Sequence, residues 1–387
     1  MASPETSPIY VSPARIPLRM LASPFHTTVS TMKTLIKIAA ISVGWFAFGS
    51  SQAQTISDST SCQTFGGQWS TQTGQPARYG VCHISSRVTV PIGQTLALAP
   101  SVDLQVNFGG RLVNQGRIDL PTAASIIVFQ GILHNEGTLT LDNRASILYN
   151  RGWIYNWGEI FSEGDIMVSN TFVDSKGVHE CFQNYGTLHL FDGGNLHSRG
   201  CVDTLGSGTL ILDRQSHFRN RPGAMFRGGQ RDVIHGHFEN LYIAYAELRN
   251  VRVSGIGRIS NDGRIRVALG DFVIEPEGTV INSENGTIEF DSSTLRVDGL
   301  LRMTGGFLDD RSLRNVHVGR NGMIVLENAA RAWNLGNPIA VDNQGGISVG
   351  CKSHWRPTQR HNGYPVQLSI CPRYPINPFP RPLPWLN

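Results

Sequence analysis

A short phrase recurs at a fixed interval and narrows this chain to one kind of architecture. Residues 110–120 read Gly-Arg-Leu-Val-Asn-Gln-Gly-Arg-Ile-Asp-Leu, residues 131–141 read Gly-Ile-Leu-His-Asn-Glu-Gly-Thr-Leu-Thr-Leu, and a third copy opens at Gly152; the spacing is 21 residues. The same glycine returns at Gly236, Gly257, Gly278 and Gly299, and Gly236 lies four whole periods beyond Gly152, which predicts one phase running through the middle of the chain. Periods near ~20 residues belong to stacked repeats, in which no unit buries its apolar face alone.

Within a unit the alternation has period two. Leu112, Asn114, Ile118 and Leu120 share one face, and Arg111, Val113, Arg117 and Asp119 share the other, which is the pattern of short strands. The glycines at either end of the phrase are expected to supply the positive φ of tight corners. The expected fold is therefore all-β: a single-stranded β-solenoid, or parallel β-helix, of about 21-residue coils stacked ~4.8 Å apart, with disulfide-pinned caps.

The six cysteines fall into pairs of equal spacing: Cys62 with Cys82, Cys181 with Cys201, and Cys351 with Cys371. In a coil of this length such partners lie nearly one above the other, so three local disulfides, each joining adjacent coils, are expected. Metal or redox sites would instead show Cys-x-x-Cys or clustered Cys and His spacing, which the chain lacks.

The ends differ from the middle. Residues 32–53 carry two lysines, an apolar run and a small-residue stretch ending at Ala53. That is the pattern of a secretory signal peptide, and the run is too short for a membrane span. Residues 1–53 are thus assigned to an upstream extension and signal peptide, 54–87 to an N-terminal cap, 88–350 to the solenoid and 351–387 to a Pro-rich C-terminal cap or tail. The repeat blurs from Phe161, and Cys181-Phe-Gln-Asn184 offers a second, out-of-phase match there. Most of the net charge of +4 comes from Arg15, Arg19, Lys33 and Lys37 set against Glu5; the rest of the chain is nearly balanced, so no nucleic-acid partner is expected. No membrane-spanning segment is expected in the mature chain.

Chemical motifs are sparse, and no catalytic residue, cofactor or metal is assigned. His235-Gly-His237, Asn261-Asp262, Arg264-Ile-Arg266 and Asp309-Asp310 echo pieces of pectin-degrading hydrolases, but in the wrong order. His235 and His237 have no third metal ligand at suitable sequence spacing. The feature that stands out is aromatic. Alternation places Trp153 and Tyr155 outward, Trp157 and Tyr185 occupy the solvent-facing middle of Asn-x-Gly, and Tyr149 lies close in sequence. Trp153, Tyr155, Trp157 and Tyr185 are the candidate ligand-binding residues, since flat rings on a rigid ladder suit sugars or a partner protein. The alternative is that the irregular segment between 161 and 180 folds back over them.

The repeated Gly-x-Leu-x-Asn-x-Gly phrases resemble those of secreted bacterial β-solenoid proteins of the haemagglutinin-repeat and adhesin-like group, over roughly residues 88–350. The resemblance implies an exported periplasmic, cell-surface or extracellular protein of Gram-negative type. It favours a non-enzymatic surface or matrix protein that binds glycan or another protein; the alternative is a β-helix carbohydrate-active enzyme, either polysaccharide lyase or glycoside hydrolase. An outward groove with converging Asp, Glu, Arg or Lys would favour the enzyme.

Overall fold

A computed structural model describes residues 53–71, 80–150, 152–169, 181–309, 315–333, 340–355 and 360–368, all within the unit Gly49–Asn387. They form a parallel β-solenoid of about 12 turns, with about 22 residues per turn. Each coil supplies three strands, as in Arg111–Asn114, Arg117–Leu120 and Ser125–Phe129. Apart from Gln68–Ser70, which pairs antiparallel with Gly80–Ile84, the strands pair in parallel with their counterparts one coil on, which creates three faces.

The apolar half of the alternation turns into the axis as three columns. Leu112 pairs with Leu133 and Leu133 with Ile154 on the first face. Ile118, Leu139 and Ile160 follow on the second, and Ile126, Ile147 and Ile166 on the third. All nine are at most 1% exposed, so the core is a continuous apolar rod to which each coil adds one layer. Val113, expected outward, is buried as well; Arg111 reaches diagonally to bond His134, the ladder neighbour of Val113.

The repeat asparagines face inward at a corner and hydrogen-bond up the stack. Asn114 Nδ2 donates to Asn135 Oδ1 at 2.6 Å, Asn135 to Asn156 at 2.7 Å, and Asn156 to Asn184 at 2.7 Å. Each amide also donates to a backbone carbonyl of the next coil, such as Thr138 O for Asn114. Along the row the buried amides thereby find partners in one another, save Asn114 Oδ1 at its start. At the same corner the backbone bonds run the other way, with Glu136 N–H donating to Asn114 O at 2.7 Å and Trp157 N–H to Asn135 O at 2.7 Å.

The single phase does not survive. Asn156 pairs with Asn184 across 28 residues, because one coil is enlarged between Val168 and Cys181. The later asparagines, Asn220, Asn240, Asn261 and Asn282, stack on the third face instead of the first. Phe238, Ile259, Val280 and Leu301 form one inward column beside them, and Met303 follows Asn282 in the ladder. Residues from Phe161 are also more regular than expected, with strands at Glu159–Ser162 and Asp165–Val168.

The phrase glycines do not serve positive φ. None of Gly110, Gly116, Gly131, Gly137, Gly152 or Gly158 adopts it. They are required by close approach: a Cβ on Gly137 would sit 2.0 Å from Gly116 O, and one on Gly158 would sit 2.0 Å from Gly137 O. Left-handed corners fall instead on residues such as Ala123, Arg144 and Ile243.

Two disulfides are in place among the described residues. Cys181–Cys201 joins ladder partners on adjacent coils, with Cα atoms 4.5 Å apart. Cys62–Cys82 differs from the expectation: Cys62 lies in the helix Ser59–Thr64, so this bridge ties a helix to the strand Gly80–Ile84 and not coil to coil. Cys371 lies outside the described residues. Parallel pairing also reaches into both segments assigned as caps, through Ala53–Ile56 and Gly80–Ile84 at one end and Arg360–Gly363 at the other. Residues 1–52 lie outside the description, and no described helix is long and apolar enough to cross a membrane.

Candidate functional site

The ladder fixes the outward side chains of the first face in a straight row, one set per coil. On the strand Trp153–Asn156 the inward places belong to Ile154 and Asn156, so Trp153 and Tyr155 point out. Trp153 is 36% exposed. Tyr155 is half-buried, its ring tilted against His134 with centroids 6.0 Å apart. At the corner that follows, Trp157 and Tyr185 occupy the same place in successive coils and stack face to face at 3.9 Å, 3° from parallel. Trp157 still exposes 54% of its surface. The corner glycines Gly158 and Gly186, too crowded for any Cβ, hold the two coils at this stacking distance.

A second aromatic group, missed in the sequence, continues round the corner. Phe161, His189 and Phe191 on the second face lie 5.6 to 6.5 Å apart and are partly exposed. The signal was available: Phe161 is three residues past Gly158, and His189 three past Gly186, both on the outward alternation of the strand after the corner. The side chain of Tyr149 and residues 170–180 lie outside the described part.

Farther along the first face the aromatic row gives way to charge. Tyr245, Arg264, Arg266, Glu289, Asp291 and Asp309 line an open groove of about 460 Å³. Arg264 Nη2 bonds Glu289 Oε2 at 2.7 Å, Arg266 is paired with Asp291, and the Arg264 guanidinium lies 5.9 Å from the Tyr245 ring centre. These hydrogen bonds hold both guanidiniums more firmly protonated, and burial raises the Tyr245 phenol. Two sequence fragments, Arg264-Ile-Arg266 and Asp309, thus meet in space; Asp310 lies outside the described residues. Asn261 belongs to the buried amide ladder and carries no surface chemistry. Arg264 and Arg266 are each matched to one carboxylate, Glu289 and Asp291, with Asp309 as a third acid in the same groove, an arrangement suited to polar recognition.

Raised carboxyls occur elsewhere. Burial pushes Asp203 upward, with Arg227 at 3.3 Å pulling against it. Burial pushes Asp232 up to about 6 while Leu210 and Gly229 N–H groups bond its two oxygens at 3.0 and 2.8 Å. The Glu247 carboxylate adds a smaller upward push on Asp203, against Arg227 and Arg249. Of the two histidines singled out in the sequence, His235 sits in a turn, whereas His237 stacks on His217 of the preceding coil and faces Glu239.

No family model matches the chain, and no curated protein matches it. A comparison with solved structures finds the crystal structure of a TibC-catalysed hyper-glycosylated TibA fragment, at 15% sequence identity and a TM-score of 0.39, covering 83% of this chain and 98% of that one.

Proposed function

We propose that this is an exported, non-enzymatic β-solenoid protein of a cell surface or matrix, adhesin-like, whose rigid ladder presents aromatic side chains to glycan or to another protein. The observation that carries the reading is the Trp157–Tyr185 stack with Trp153 beside it, set on a backbone that cannot rearrange without breaking the stack. Ordered rings bind at little entropic cost, and sugar C–H faces pack well on them. Disulfides and the signal-like leader 32–53 support export. The balanced charge argues against nucleic acid.

The test pairs a glycan array with a reducing-sugar release assay. Binding without release is the expected result, and binding that persists at full strength in Trp153→Ala and Trp157→Ala removes the aromatic row from the proposal. A second reading, a β-helix carbohydrate-active enzyme, draws on the groove around Arg264, Arg266, Glu289 and Asp309. Sugar release abolished by Glu289→Gln or Asp309→Asn would establish it in place of the first.

A further inference from the structure

Stacking of coils brings together, on the third face, residues that sequence spacing keeps apart. His217 and His237 are direct ladder partners, their rings parallel within 6° and 4.7 Å apart. Glu239, two residues past His237, shares their outward side. Its carboxylate lies 3.3 Å from His217 Nε2 and 3.8 Å from His237 Nδ1, and one donor atom from each of the three residues falls within 4.8 Å of the others. All three side chains are half-buried.

We propose that His217, His237 and Glu239 form a binding site for a divalent transition-metal ion, with zinc(II) the ion whose ligand preferences they fit, clamping two adjacent coils. Two imidazoles and one carboxylate are a common zinc donor set, leaving a fourth position for water. Donor atoms around such an ion stand roughly 3.3 Å apart, so small side-chain rotations suffice to close the site. His217 Nε2 is buried 3.3 Å from Glu239 without a well-aligned hydrogen bond, so little is broken when both turn to a metal.

The surroundings suit the role. Burial, aided by Arg219, lowers both histidines, and Glu239 pulls them back only in part, so both rings are neutral donors at neutral pH. Burial raises Glu239, but the Arg219 hydrogen bond and the two histidines outweigh it and keep the carboxyl below its ordinary value. Ser260 Oγ, 2.9 Å from His237 Nε2, can accept that ring's N–H and so direct the Nδ1 lone pair at the metal. Arg219 Nε holds Glu239 Oε2 at 2.6 Å but uses one of several lone-pair positions, so Oε1 stays available.

The experiment titrates the full chain, untagged and chelator-stripped, with Zn²⁺ alone at pH 7.5 by calorimetry. One ion per chain is expected, with affinity reduced at least tenfold in His217→Gln and in His237→Gln, and unchanged in His317→Gln on another face. Ser260→Ala should weaken binding roughly tenfold, as loss of an outer partner does. Histidine ring NMR on the unmodified chain guards against variants that lose the fold: the His217 and His237 signals should move on Zn²⁺ addition. Absence of saturable binding, binding indifferent to both substitutions, or shifts confined to other histidines overturns the site.

Discussion

Asn135 accepts the side-chain amide of Asn114 at 2.6 Å and passes its own to Asn156 at 2.7 Å, so one buried residue joins three coils. Asn135→Ala deprives Asn156 Oδ1 and the Glu159 carbonyl of their donor. Each stranded group costs about 1–3 kcal/mol. Asn135→Asp should be worse, since it sets a carboxylate against those same two acceptors. Urea midpoints of the two variants, ranked against the unaltered chain, check both the size and the order.

Backbone demands at the corners predict opposite outcomes at two positions. Gly137→Ala places a methyl 2.0 Å from Gly116 O and forces coils apart, at a cost of about 3 kcal/mol. Ile243, a β-branched residue at φ 57° with 64% of its surface exposed, bears strain that glycine does not. Ile243→Gly should leave stability unchanged or raise it by up to about 1 kcal/mol. Thermal midpoints of both variants test this.

Cys181 and Cys201 close a 20-residue separation between ladder partners beside the enlarged coil. Replacing both by serine should cost up to about 3 kcal/mol, less if the coil holds its own register. Hydrogen exchange should show that loss confined to the coils around residues 181–204, and a loss spread evenly along the rod would contradict a local role.

Asp232 gives a pH signature. Its carboxyl is pushed up to about 6 by burial, from an ordinary 3.8. The folded chain therefore holds the proton more tightly than the unfolded one, and the stabilisation is complete below about 3.8 and lost as pH rises through about 6. His134, His197, His217 and His237, lowered chiefly by burial, act in the opposite sense, losing stability as pH falls below their ordinary 6.5. The comparison is therefore between the chain and Asp232→Asn, which cannot ionise. The stability of the chain relative to the variant should fall between pH 4 and pH 7; a flat difference would show that Asp232 does not titrate there.

The strand alternation and the cadence near 21 were enough to place Leu112, Leu133 and Ile154 in one column, because inward residues must repeat once per turn. The change of face is hidden in the sequence because three coils of uneven length, one of them of 28 residues, plus the step from the first face to the third span the same distance as four periods of 21. The phrase glycines are legible in the sequence but their cause is not, since close approach between coils has no local signature. Trp153, Tyr155, Trp157 and Tyr185 could be placed by parity alone, whereas the Trp157–Tyr185 stack depends on that same enlarged coil. His217 is not legible as part of a site because its partners come from the next coil, where proximity is set by stacking and not by neighbours in the chain.

The asparagine row has a further consequence. Its amides point their hydrogens toward the C-terminal coils, while the corner backbone N–H groups beside them point toward the N-terminal ones. In an α-helix every such group is aligned and the field accumulates toward the two termini. Here the seam's dipoles oppose one another, so each added coil contributes less field along this seam than aligned groups would.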